Sequence, residues 1–159
     1  MKEVPMNADL VTIPATWDFQ YRYFAGETAS RFFNALRHEG RIYGTRCSQC
    51  RRVLVPARSF CDACFVPTGD WIQAGPDGTL EIFTIVGTRF PGLPDPPFAI
   101  GYVTLDSADT AILNRIEGVD LSDLDQAGSR LMQRPRVTAK FAPQREGRIT
   151  DFVFVPLAS

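Results

Sequence analysis

The stretch CSQCRRVLVPARSFCDAC, residues 47–64, holds all four cysteines of the chain. They come as two C-x-x-C pairs, Cys47 with Cys50 and Cys61 with Cys64, ten residues apart. In each pair the two intervening residues let the backbone fold into a knuckle that points both sulfurs at one centre. Two knuckles supply four thiolates, which close a tetrahedral shell around a metal ion. Protein fills every coordination position, so no water can be activated there and the site reads as structural. Zinc is favoured over iron. A tetrathiolate iron site has the same spacing, but a small residue usually follows each of its pairs. Here Arg51–Arg52 and Phe65 follow. The spacing itself admits either ion. A ribbon of about twenty residues has no core of its own and needs such a cross-link.

Upstream, Ala29, Phe32, Phe33 and Leu36 recur at three- and four-residue spacing, which predicts a helix from Glu27 to Glu39 with Gly40 as its C-terminal cap. Before it lies WDFQYRYF, with Trp17, Phe19, Tyr21, Tyr23 and Phe24 inside eight positions. The alternation reads either as a strand or as an extended arm lying on another surface.

Downstream, two turn-rich stretches, VPTGD and AGPDG, flank Trp71 and Ile72. Five strand patterns follow, at 79–86, 99–106, 110–117, 136–142 and 149–156. The polar segment 119–131, with room for a short helix, separates the third from the fourth. That order matches an OB-type barrel. The loop RFPGLPDPPF, residues 89–98, carries four prolines and cannot join a sheet. It reads either as a rigid connection or as a binding loop presenting Phe90, Leu93 and Phe98.

Composition bounds the function. The chain is 45% hydrophobic and 22% charged, the make-up of a globular protein. Seventeen basic against eighteen acidic residues exclude the bulk charge of a dedicated nucleic-acid binder. MKEVPMNADL shows no basic region followed by an apolar run, and no stretch approaches the ~18 apolar residues of a membrane span. A cytoplasmic location is expected, where structural disulfides are rare and four cysteines point to metal. Six of the seventeen basic residues, Arg37, Arg41, Arg46, Arg51, Arg52 and Arg58, cluster against one acid, Glu39. Such a cluster either receives phosphates or forms a solvated face screening the thiolates. Catalytic groups are scarce. The cysteines are spent on metal, and the single histidine, His38, sits at a helix end where a cation favours the dipole.

The helix running into RFFNALRHEGRIYGTRC, the cysteine ribbon, Trp71 and the five-stranded pattern together resemble the zinc-ribbon/OB-fold family associated with acyl-CoA enzymes. The most specific part is Gly44 to Cys64. The resemblance implies a mainly β fold: an N-terminal aromatic arm and helix (1–40), a rubredoxin-like zinc ribbon (41–68) and a five-stranded OB-fold barrel (69–159). It implies structural Zn2+ on Cys47, Cys50, Cys61 and Cys64, and a non-catalytic accessory subunit beside a thiolase-fold enzyme. The chain would help hold an acyl-CoA, in one setting an aryl-substituted 3-oxoacyl-CoA of aromatic degradation. On this expectation Arg51, Arg52, Arg58, Phe90 and Phe98 contact the CoA ligand. Trp17, Phe19, Tyr21, Tyr23 and Phe24 meet the partner in a hetero-oligomer. The alternative is a nucleic-acid-binding module, which the acidic pI of about 5.8 and only two lysines disfavour.

Overall fold

The computed structural model describes residues 13–157. The opening decapeptide, read above for a secretory pattern, lies outside them. Helix α1 spans Glu27–Glu39, as the apolar spacing predicts. Its C-cap Gly40 takes the left-handed conformation (φ 62°), which costs glycine nothing. Glu27 in the first turn and Arg37 and His38 in the last complement the helix dipole. Phe32, Ala35 and Leu36 form its buried stripe.

Strands β1 (Ile42–Cys47), β2 (Val53–Leu54) and β3 (Thr68–Ala74) form an antiparallel sheet in the order β2-β1-β3. β3 departs from the sequence reading, which placed only turns around Trp71 and Ile72. Those residues pair with β1, Thr45 opposite Trp71 and Gly44 opposite Ile72. The local sequence TGDWIQA has weak strand character, and the partner supplied by β1 decides its conformation. The expected division between ribbon and barrel at 68/69 falls inside β3, so a continuous strand carries the chain from one to the other.

The five expected strands are present as β4 (Asp77–Val86), β5 (Phe98–Leu105), β6 (Ala111–Ile116), β7 (Arg136–Phe141) and β8 (Phe152–Pro156). They close into a barrel in the order β4-β5-β6-β8-β7, with β7 returning to β4. This is an OB-like barrel behind a ribbon and an N-terminal helix. Helix α2 (Leu124–Leu131) lies in the polar insert. Asp123 caps it, its Oδ1 accepting the Gln126 N–H at 3.0 Å, and Ala127 and Leu131 are its buried residues. Residues Ile149–Asp151 form a 3-10 turn, so the last strand begins three residues later than the apolar pattern suggests.

One buried cluster joins the barrel to α1 and to the inner part of the ribbon. Leu80, Val103, Ile112, Ile116, Val137, Phe152 and Phe154 of the barrel belong to the same buried cluster as Phe32 and Leu36 of α1 and Ile42, Val53, Val55 and Ala74 of the ribbon region. Inside the barrel, a Cβ on Gly101 would stand 2.6 Å from Leu80 Cδ1 and 2.7 Å from Ile116 Cδ1, so only glycine leaves room for these side chains. No helix among the described residues is long and apolar enough to cross a membrane.

The ribbon is also tied to the barrel through backbone groups. β2 is two residues long, and the turn between β5 and β6 satisfies its neighbourhood. The Val53 N–H donates to Asp109 Oδ2 at 2.8 Å, and the Asp109 N–H donates to the Val53 carbonyl at 2.9 Å. The Val55 N–H donates to Thr110 Oγ1 at 2.7 Å, and that hydroxyl donates back to the Val55 carbonyl at 2.9 Å. Thr110→Val removes both bonds without changing shape and leaves two polar groups of Val55 unpaired. A loss of about 1–3 kcal/mol is expected. It is read as a fall in the unfolding midpoint of about 2–4 °C per kcal/mol. Thr110→Ser should retain most of the stability. A Thr110→Val chain as stable as wild type would show that this contact does not hold the ribbon in place.

Candidate metal centre and its surroundings

The two knuckles are near copies of one another in backbone. In the first, the Cys47 N–H donates to the Arg52 carbonyl (2.8 Å) and the Arg51 N–H to the Cys47 carbonyl (3.1 Å). In the second, Cys61 N–H donates to Val66 (2.8 Å) and Phe65 N–H to Cys61 (3.0 Å). The residue after each pair turns through the left-handed region, Arg51 at φ 66° and Phe65 at φ 55°. Glycine suits that position best, and each side chain there costs about 1–2 kcal/mol. Both side chains are exposed.

The knuckles bring the four sulfurs within 4.8 Å of one another. Cys47 and Cys61 are fully buried, Cys64 is half-buried and Cys50 is exposed, so the cluster sits at the ribbon surface with its inner half sealed. The donor set fits a tetrahedral ion. Metal–sulfur bonds of ~2.3 Å at the tetrahedral angle require sulfurs about 3.8 Å apart. Cys50 Sγ and Cys61 Sγ are 3.8 Å apart. The Cys50 N–H, 3.4 Å from Cys47 Sγ, holds the Cys47 thiol down to about 6. The hydrogen bond with the Cys50 sulfur pushes the Cys64 thiol up to about 12. Four sulfurs this close cannot all be thiolates unless a cation lies among them. The arrangement is that of a site for a metal ion. Apart from Cys47 and Cys61 this end of the ribbon buries only Leu54, with Cys64 and Val66 packed against them.

Gly44, Thr45 and Arg46 lead into the first knuckle. Thr45 is buried, its hydroxyl donating to the Arg58 carbonyl at 2.7 Å and accepting the Arg58 N–H at 2.9 Å. This threonine fixes the loop between the knuckles to β1. A Cβ on Gly44 would stand 2.8 Å from the Leu54 carbonyl oxygen, so the close approach of β2 needs glycine.

The arginines expected at the ligand are partly committed. Arg52 Nη1 lies 3.3 Å from Asp62 Oδ1, and Arg58 Nη1 lies 3.1 Å from Asp62 Oδ2. One carboxylate inside the second knuckle therefore holds two guanidinium groups. Arg51 makes no ion pair among the described residues and its side chain is exposed. His38 is exposed at the end of α1.

The proline loop lies elsewhere. β4 pairs with β5 from Gly78 opposite Leu105 to Val86 opposite Phe98. The ribbon contacts the first end, through Asp109 and Thr110, and residues 87–97 cap the second. The ten residues of β4 rise about 30 Å. The structure therefore does not bring Arg51, Arg52 and Arg58 together with Phe90. Phe90 and Leu93 are exposed, and Arg89 and Asp95 close the loop with an ion pair at 2.6 Å. Phe98 corrects the sequence expectation. It is the first residue of β5, 7% exposed, and its ring is withdrawn from solvent rather than offered to a ligand. The stretch of prolines ends one residue before it, where β5 pairing begins.

Residues 13–25 form no helix or strand, so the segment is an extended arm. Trp17, Phe19, Tyr21, Tyr23 and Phe24 are all exposed. The structure adds a group that periodicity did not show. Ile82, Tyr102 and Leu113 stand opposite one another across β4, β5 and β6, all outward and exposed. With Phe83, Thr84 and Ile100 they line a shallow pocket of about 220 Å³. Each strand was legible, but the row depends on register between strands.

Family models match two consecutive parts of the chain. The rubredoxin-like zinc ribbon domain of ChsH2 matches residues 35–68, and the C-terminal OB-fold domain of ChsH2 matches residues 71–132. Together they span more than half of the chain. Among solved structures, the chain resembles a protein of unknown function of the DUF35 family from Sulfolobus solfataricus. Identity is 23% and the TM-score 0.58, over 82% of this chain and 86% of that one. It also resembles the Ltp2-ChsH2(DUF35) aldolase, with 17% identity and a TM-score of 0.60, over 85% of this chain and 98% of that one. At these identities the likeness is one of fold. No curated protein matches the sequence.

If the cluster holds a metal, Cys47→Ser and Cys61→Ser, which remove buried ligands, should release it and unfold the ribbon. Elemental analysis should find about one ion per wild-type chain and far less in either variant. Wild-type protein without zinc or iron, or with a mass showing two disulfides, would contradict the arrangement.

Proposed function

The chain belongs to the zinc-ribbon/OB-fold family of ChsH2 type, and on that premise we propose that it is a non-catalytic accessory subunit of an acyl-CoA-processing enzyme complex. The observation that carries this reading is the match of both ChsH2 domains, in order, to one short chain. The Ltp2-ChsH2(DUF35) aldolase, whose name pairs a chain of this fold with a second protein, supports it. The partner we propose is a thiolase-family enzyme. The ligand is an acyl-CoA, with an aryl-substituted 3-oxoacyl-CoA as the more specific candidate. The ion is structural zinc on Cys47, Cys50, Cys61 and Cys64.

The chain's chemistry is consistent with an accessory role. A thiolase needs a nucleophilic cysteine with histidine partners. The four cysteines here face one another, and the lone histidine is at an exposed helix end. What the chain offers is contact. Arg51, Arg52 and Arg58 at the ribbon would meet the CoA phosphates by charge-assisted hydrogen bonds. Asp62 occupies Arg52 and Arg58, so Arg51 is the first candidate and the other two join by leaving a half-exposed carboxylate, a small cost. Phe90, at the other end of β4, would serve the distant acyl end. The aromatic arm would lie on the partner enzyme.

The chain alone should turn over no acyl-CoA, while the complex isolated from its native cell should contain a thiolase-family subunit. Arg51→Ala should weaken CoA binding by the complex roughly ten- to a hundredfold, the worth of one charge-assisted contact. Removing residues 1–24 should strip the partner from the chain. Turnover by the isolated chain, abolished by one substitution in it, would sink the accessory reading. A partner retained at full strength by the truncated chain would remove the arm from the interface.

A further inference from the structure

The arm has the pattern of a β-strand that lacks a sheet. Trp17, Phe19, Tyr21 and Tyr23 stand at alternate positions. Successive ring centroids are 5.9, 5.7 and 6.2 Å apart, so the four rings share one side of an extended backbone. Asp18, Gln20 and Arg22 fall between them, on the other side. Pro14 precedes the segment and Gly26 ends it, with no proline or glycine between. Threonine and the aromatic residues are good strand formers. Yet no residue from 13 to 24 exchanges a backbone hydrogen bond with another described residue. The four rings are 63–83% exposed.

The arm also joins α1 through a sharp backbone corner. Gly26 has φ 84° and ψ 163°, a corner essentially closed to residues with a side chain. Nothing lies within 4 Å of the position its Cβ would take. A row of exposed aromatic rings, on backbone donors and acceptors that no other described residue pairs, is a surface that another molecule completes.

We infer that residues 15–24 bind the enzyme partner of the complex by adding a strand to the edge of one of its sheets, the ring row packing into that sheet's apolar side. The inference rests on the partner reading above. Strand addition obtains affinity from main-chain bonds and specificity from alternate side chains, and the arm offers both. Its own chain provides little to pair with. The barrel is closed. Where its pairing thins, α2 lies against β4 and the 3-10 turn accepts a hydrogen bond from Asn114 of β6, and Asp109 and Thr110 cover β2. The outer edge of β3 remains. It is seven residues long, and Arg31 already stands 4.2 Å over the Trp71 ring on it. The ten residues of the arm, about 33 Å when extended, outrun it.

The test is residue-resolved amide hydrogen exchange on the complex purified from its native cell and on the isolated chain. Strand addition predicts that one alternate set of amides between Thr16 and Tyr23 slows at least a hundredfold in the complex, while the other set exchanges freely. In the isolated chain all should exchange fast. A second variant exchanges two neighbours, Phe19→Gln with Gln20→Phe, which keeps composition but breaks the one-sided row. It should weaken reassociation with the partner about tenfold or more. Fast exchange throughout the bound arm, or protection of consecutive amides, overturns strand addition, and so does an exchanged variant that binds as wild type. The same alternate protection in the isolated chain, growing with concentration, would make a second copy the occupant and overturn the partner assignment. Removal of residues 1–24 separates the two readings. If it abolishes association while the bound arm shows no alternate protection, the interface stands and the strand falls. If association survives it, both fall.

Discussion

Four sulfurs gathered within 4.8 Å set the condition on which this structure depends. The distal end of the ribbon has almost no apolar interior, so attraction between thiolates and a cation has to do what a core does elsewhere. The two knuckles are stiff loops that require left-handed backbone at Arg51 and Phe65. Strain of that kind persists only where the surroundings fix the chain. A shared ion is the natural agent, with Thr45 and Asp62 adding polar ties between the loop and the knuckles.

The rest of the molecule builds on that anchored ribbon. β1 and β3 leave the cysteines and run toward the barrel, and their inner residues join the barrel core. Asp109 and Thr110 reach from the barrel to β2, so the metal end and the barrel are held in register by both apolar and polar contacts. Helix α1 closes the other side with Phe32 and Leu36. In this arrangement the arginines of the ribbon and the proline loop become two separate surfaces at the two ends of β4. A scaffold that presents distant contacts around a four-cysteine site suits the proposed subunit that positions a ligand or partner.

Much of this was legible in the sequence. The C-x-x-C pairs, the helix capped by Gly40 and all five barrel strands follow from local spacing and turn residues, because local patterns decide them. What was not legible depends on pairing between distant segments. Trp71 and Ile72 look like an island between turns until β1 supplies a partner. Phe98 looks like the end of an exposed loop until β5 pairing draws it in. The commitment of Arg52 to Asp62 follows from the folding of two knuckles against each other. The outward row of Ile82, Tyr102 and Leu113 exists only once three strands have fixed their register. The arm's aromatic alternation was visible, but whether it met a sheet of its own chain was not.

If the chain completes another enzyme rather than catalysing on its own, reconstitution shows it. The partner subunit is prepared without this chain, and acyl-CoA turnover is measured as metal-loaded chain is added back. The account predicts little turnover from the partner alone and a rise that saturates when the two subunits reach a fixed ratio. A partner fully active by itself, with rate and affinity for acyl-CoA unchanged by the added chain, would contradict it.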